Sequence, residues 1–124
     1  MAEMHDDNKA KEIAVSAAKI LDSKKAKDIK ILYVNEQTII ADYFVIAAGT
    51  SRTQVNALAD EVEYKLGLEG LQPTKIEGRG QGTWVLLDYD SVLVHIFNPQ
   101  SREFYNLEKL WNEGTEIPFE ASAE

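Results

Sequence analysis

No cysteine occurs anywhere in the chain, so neither disulfides nor thiolate metal sites can hold it together. Histidine is scarce: His5 lies in a polar, acidic start and His95 in an apolar stretch. Two residues so placed offer neither a metal site nor a catalytic pair. Basic residues are few, with 13 lysines and arginines against 21 acids and a net charge of −8. A chain this acidic is repelled by a phosphate backbone and lacks the basic stripe of a nucleic-acid binder, which disfavours direct, sequence-specific binding to DNA or RNA. It would attract a basic protein. No apolar run approaches the roughly twenty residues that cross a bilayer. Residues 1–11 are unlike a signal or transit peptide. The expectation is a cytoplasmic protein with no membrane contact.

What is present fits one domain: 124 residues, 44% of them hydrophobic, are enough for a single core and too few for two. Residues 1–8 read as a disordered start, 9–111 as the domain and 112–124 as a flexible acidic tail. Ile13, Ala14, Ala17, Ala18, Ile20 and Leu21 recur at helical spacing. Residues 29–34 read as a strand. Residues 43–48, Tyr-Phe-Val-Ile-Ala-Ala, form an unbroken apolar run, the mark of a strand covered on both faces. Ser51 and Gln54 have the spacing of a capping box. Val55, Leu58, Ala59, Val62 and Leu66 follow as one helical face, with Gly67 as a stop.

Residues 74–77 make a short strand. Residues 78–82 hold three glycines in five positions and predict a mobile loop. Residues 83–88 and 92–97 should pair as a hairpin. Asn98-Pro99 resembles a helix start, with a turn through Arg102 and a short helix over 107–111. The fold class is therefore α/β: a single domain with a mixed sheet of about five strands and helices packed on it.

Three places could carry chemistry. The turn Gly49-Thr50-Ser51 joins a buried strand to a helix start, whose free N–H groups can bind phosphate. Nucleotidyltransferases open their active site with such a turn, followed closely by metal-binding carboxylates. Here the following helix offers only Asp60 and Glu61, which face away from it, and a capped turn is the simpler reading. Asp88 and Asp90 could share a divalent cation. They lie at a hairpin turn, where aspartate is common for its local hydrogen bonding. The glycine-rich loop lacks the lysine and hydroxyl of a P-loop and precedes no helix. Trp84, Leu86 and Asp88 share a strand face that is half apolar and half charged, as a protein interface is. Packing of Trp84 under a helix is the competing reading.

Several segments are similar to the Iojap-like ribosomal silencing factors. In the first half they are Asp42-Tyr43-Phe44-Val45-Ile46, Gly49-Thr50-Ser51 and Ala59-Asp60-Glu61-Val62. In the second half they are Glu77-Gly78, Trp84-Val85-Leu86-Leu87-Asp88-Tyr89, Val94-His95-Ile96-Phe97 and the run from Arg102 to Trp111, which includes Tyr105. They occur in the family's own order. The resemblance implies a fold related to nucleotidyltransferases but without their catalytic site, and hence no enzyme activity, metal or cofactor. It implies binding to the large ribosomal subunit through its L-fourteen-type protein, where the small subunit must dock, and repression of translation when nutrients are scarce. Homodimers are common in the family. The candidate contact residues are Trp84, Leu86, Asp88, Tyr89, His95, Arg102 and Tyr105. The family's usual Asp-Tyr-Gly-Asp hairpin is here Asp88-Tyr89-Asp90-Ser91, so Asp90 takes the glycine position. The alternative is a nucleotidyltransferase-like enzyme using Ser51, Asp88, Asp90 and a divalent metal. It requires those carboxylates to converge on the Gly49 turn.

Overall fold

The run Tyr-Phe-Val-Ile-Ala-Ala contains no charged side chain, and all six of its residues are buried. In a computed structural model, which describes residues 7–35, 41–81, 83–98 and 115–117, this run is strand β2 (Tyr43–Ala48) near the middle of a sheet. It lies beside β5 (Val92–Phe97), whose six residues are likewise buried. The two strands are parallel. The remaining pairings are antiparallel. They involve β1 (Lys27–Tyr33), β3 (Lys75–Glu77), β4 (Trp84–Asp88) and the two-residue β6 (Thr115–Glu116). The sheet order is β3-β4-β5-β2-β1-β6. The expected mixed sheet is thus present, with a short sixth strand added at its edge. Thr115 and Glu116 pair with Tyr33 and Leu32, which amends the reading of an unstructured tail at those two residues.

Both helices, α1 (Asp7–Ser23) and α2 (Arg52–Leu68), pack on the same face of the sheet. Helix α1 presents Ala10, Ala14, Ala17 and Ala18 with Ile13 and Leu21. Four alanines let its backbone lie close to Ile31, Val45 and Ala47. Helix α2 contributes Val55, Leu58, Ala59, Val62 and Leu66, the face read from the sequence. The opposite sheet face carries a separate cluster: Leu32, Val34, Ala41, Phe44, Ile46, Leu93 and Phe97, with Trp84 and Leu86 against it. No residue of α1 or α2 belongs to this second cluster.

Element ends follow from local chemistry. Helix α1 begins at Asp7, inside the stretch expected to be disordered. Gly67 does not stop α2, which runs on to Leu68. The stop is Gly70, in the left-handed region at φ +86°. Its N–H bonds the Gly67 carbonyl and that of Leu71 bonds Leu66, a Schellman closure. Helix α1 closes in the same way, with Lys25 N–H on Asp22 and Ala26 N–H on Leu21, but the left-handed residue is Lys25, at φ 67°. The expected helical turns over 99–111 lie outside the described residues.

A lysine in that conformation carries a steric cost that glycine lacks. Lys25→Gly should therefore raise unfolding free energy by about 0.5–1 kcal/mol, after the entropic cost of glycine is subtracted. Urea unfolding of the two proteins measures this, and a loss of stability would contradict the account.

Candidate functional site

Strand β4 alternates strictly: Val85 and Leu87 are fully buried on the helix side, while Trp84, Leu86 and Asp88 are partly exposed on the other. That is the phase read from the sequence. Its partner β5 supplies the floor. Trp84 stands opposite Phe97, and Leu86 opposite His95. The indole stacks on Phe97, with ring centroids 5.1 Å apart and planes 28° apart. Its Nε1–H donates to His95 Nδ1 at 3.2 Å. The His95 ring lies 4.8 Å from that of Phe44 and parallel to that of Phe97. Four aromatic rings from β2, β4 and β5 therefore form one layer on the face away from both helices.

His95 is only 5% exposed. It underlies Trp84 rather than forming surface. Burial lowers its pKa from 6.5 to about 4, because the charged ring would be desolvated. An indole N–H can only donate, so His95 Nδ1 must accept and the neutral ring carries its proton on Nε2. Nε2 is buried, without a hydrogen-bond partner among the described residues.

Tyr89 does not join this layer. It is 7% exposed and belongs to the helix-side core. Its hydroxyl is buried, with no hydrogen-bond partner among the described residues. Burial, reinforced by the nearby Glu63 charge, pushes its pKa up to about 12. The alternation of β4, carried one residue further, sets Tyr89 with Val85 and Leu87, opposite Trp84, Leu86 and Asp88. Arg102 and Tyr105 lie outside the described residues.

Asp88 serves the hairpin. Its Oδ1 accepts from the Asp90 N–H at 2.8 Å, and its carbonyl accepts from the Thr74 N–H at 2.7 Å. Asp90 adopts φ 76°, the glycine-like conformation required at that place. Ser51 caps α2 by accepting from the Gln54 N–H at 3.1 Å, a contact worth about 1 kcal/mol. The Gln54 side-chain oxygen Oε1 accepts from Thr50, through N–H and hydroxyl, instead of returning to Ser51.

These two turns sit at opposite ends of the sheet. The Gly49 N–H bonds the Phe97 carbonyl, whereas Asp88 pairs with Leu93. Four residues of β5 separate them, roughly 13 Å. Ser51 and the Asp88–Asp90 pair therefore do not converge, and the geometry required of a nucleotidyltransferase-like site is not assembled. Asp60 lies 3.6 Å from Arg79, and Glu61 pairs with Lys65. Among the described residues no group of three histidine, aspartate or glutamate side chains could hold a metal ion.

The glycine-rich loop is tethered in ways its composition does not reveal. Arg79 bonds Glu63 on α2, and the Gly80 N–H bonds Asn56 Oδ1 at 3.1 Å. A Cβ at Gly78 would overlap the Trp84 carbonyl oxygen. The loop thus presses on the backbone that carries Trp84. Phe44 and Phe97 belong to the Trp84 layer although sequence reasoning does not single them out. Their strand parity is legible, but the cross-strand register that joins them is not.

A family model described as "Ribosomal silencing factor during starvation" matches residues 7–124. The chain is 42% identical to the ribosomal silencing factor RsfS of Bacillus subtilis over 103 residues, 83% of this chain and 87% of that protein. It is 36% identical over 95 residues to the mouse protein named for mitochondrial assembly of the ribosomal large subunit, covering 74% of this chain and 42% of that one. A crystal structure of a Chromobacterium violaceum protein matches with a TM-score of 0.77 at 34% identity, covering 95% of each chain.

Two outcomes follow from the buried groups. The unfolded chain binds a proton at His95 below about pH 6.5, and the folded chain does so only near pH 4. Stability from this group is full above pH 6.5 and is lost on acidification. The loss should be roughly 2–3 kcal/mol between pH 7 and pH 4.5. Urea unfolding at both pH values should show that loss shrinking in His95→Asn; an unchanged loss would refute the assignment. Tyr89→Phe removes a buried hydroxyl that has no partner among the described residues and should stabilise the fold by about 1 kcal/mol. A lower melting temperature would show that the hydroxyl is satisfied.

Proposed function

We propose, from the premise that the chain belongs to the ribosomal silencing factor family, that it binds the large ribosomal subunit and keeps the small subunit from joining it. The contact is made to the subunit's L-fourteen-type protein. The observation that carries this reading is the surface formed by Trp84, Leu86 and Asp88 on the sheet face away from both helices. An aromatic anchor with an apolar neighbour and a charge at its edge is the composition of a protein contact. His95 and Tyr89, both buried, support that surface from beneath and from the opposite face. The name of the mouse relative points to the same subunit.

The mechanism is steric and needs no bond to be made or broken, so the protein is not an enzyme. A large subunit occupied at its joining surface is withdrawn from the joining equilibrium by mass action. The net charge of −8 draws the protein toward a basic ribosomal protein and away from exposed RNA. Translation is thereby repressed in the cytoplasm, and the family model's description ties this to starvation.

Trp84→Ala tests the reading. A central aromatic anchor loses about 2 kcal/mol or more of binding on truncation, roughly thirtyfold or more in affinity. Because Trp84 is only partly buried, its removal should cost less stability than the roughly 3–5 kcal/mol of a core tryptophan. The variant should remain folded and fail to co-sediment with large subunits. An intact melt with intact co-sedimentation would move the contact elsewhere.

A further inference from the structure

We infer that Arg79 is a positioning residue for the Trp84 contact: it latches the loop after β3 onto α2 and so holds the end of β4 from which Trp84 projects. This role rests on the reading of Trp84 as the anchor, and it concerns the backbone at Trp84, not the indole ring. Strand β3 pairs with β4 only from Asp88 to Leu86, where Glu77 is its last paired residue. Trp84 and Val85 lie beyond that register, and beside them on this side runs the loop. Gly78 lies against the Trp84 carbonyl, so close that a Cβ there would overlap it. On the other side, Trp84 opposite Phe97 is the last pair with β5, followed by a bond from the Asn98 N–H to the Thr83 carbonyl. Trp84 thus sits at a strand end, where local opening is cheapest.

Polar contacts tie this loop to one stripe of α2. Asn56, Asp60 and Glu63 follow one another at helical spacing, which sets them on a single face. Arg79 donates to Glu63 and lies 3.6 Å from Asp60, while the Gly80 N–H donates to Asn56 Oδ1 at 3.1 Å. Two consecutive loop residues are therefore held by three side chains of the helix. Magnitude sets what such a latch can do. The Arg79 side chain is 42% exposed, and an ion pair at such a site adds little to global stability. Its effect is local: it opposes lifting of the loop, and lifting the loop would free the Trp84 end of β4. A contact surface whose backbone is already held loses less freedom when the partner arrives.

Two variants test the latch: Arg79→Gln removes the charge, and Asn56→Ala releases Gly80. Two quantities are read in each: hydrogen exchange at the Gly80 and Asn98 amides, and the dissociation constant for purified large subunits. Arg79→Gln should melt close to the parent, exchange faster at both amides, and bind about fivefold more weakly, the scale of ordering one more segment on binding. The direction is diagnostic. The substitution makes the chain more acidic, so long-range attraction to a basic partner would by itself tighten binding. In a Trp84→Ala background, Arg79→Gln should cost no further affinity, because it acts through Trp84. Parental exchange at Asn98, undiminished binding, or the same loss with and without Trp84 overturns the positioning role and leaves the contact reading intact. Full binding by Trp84→Ala overturns both. If Arg79→Gln does not fold, Asn56→Ala decides: faster exchange at Asn98 with weaker binding supports the latch, and parental exchange or parental binding overturns it.

Discussion

Two strands without a solvent face, β2 and β5, set the terms for everything around them. A strand whose every side chain is apolar or aromatic must be covered above and below, so the sheet cannot be a one-sided platform. On one side the cover is α1 and α2, whose small and branched residues close over Val45, Val94 and Ile96. On the other, the buried residues are larger, and Phe44, His95 and Phe97 form an aromatic floor. Trp84 rests on that floor from the neighbouring strand. The requirement that buries the centre of the sheet therefore also creates an aromatic seat for a partly exposed tryptophan.

Signals that act over a few residues are legible in the chain itself. The apolar run of β2, the Ser51 cap, the buried face of α2 and the alternation of β4 each follow from local spacing. What the sequence conceals depends on residues far apart in the chain. The pairing of Trp84 with Phe97 and of Leu86 with His95 is set by strand register, and no local pattern encodes it. Arg79 reads as one charge in a glycine-rich loop until α2 brings Glu63 and Asp60 beside it. Tyr89 is a contrary case: it is a candidate contact only through the family resemblance, and its strand parity, shared with Val85 and Leu87, already sets it on the helix side. The end of α2 shows the limit of composition even locally. Gly67 reads as the stop, yet it is Gly70 that takes the left-handed conformation.

The two faces divide the labour. The helix side is a packed core with an unpaired tyrosine hydroxyl and no polar cluster that invites chemistry among the described residues. The Trp84 side combines an aromatic layer with partial exposure. Of the places that could carry chemistry, the Ser51 turn closes on a helix cap, and the Asp88–Asp90 turn on its own backbone and that of Thr74. Distance separates them as well. A protein built this way is suited to occupying a surface, which is all that the proposed mechanism asks of it.

The central claim is that occupation and joining exclude one another. Light scattering during mixing of purified large and small subunits, with this protein titrated in, measures it directly. Joined ribosomes should fall as the protein approaches stoichiometry with the large subunit, and excess small subunits should restore them by competition. Undiminished joining by large subunits that demonstrably carry the protein would contradict the account.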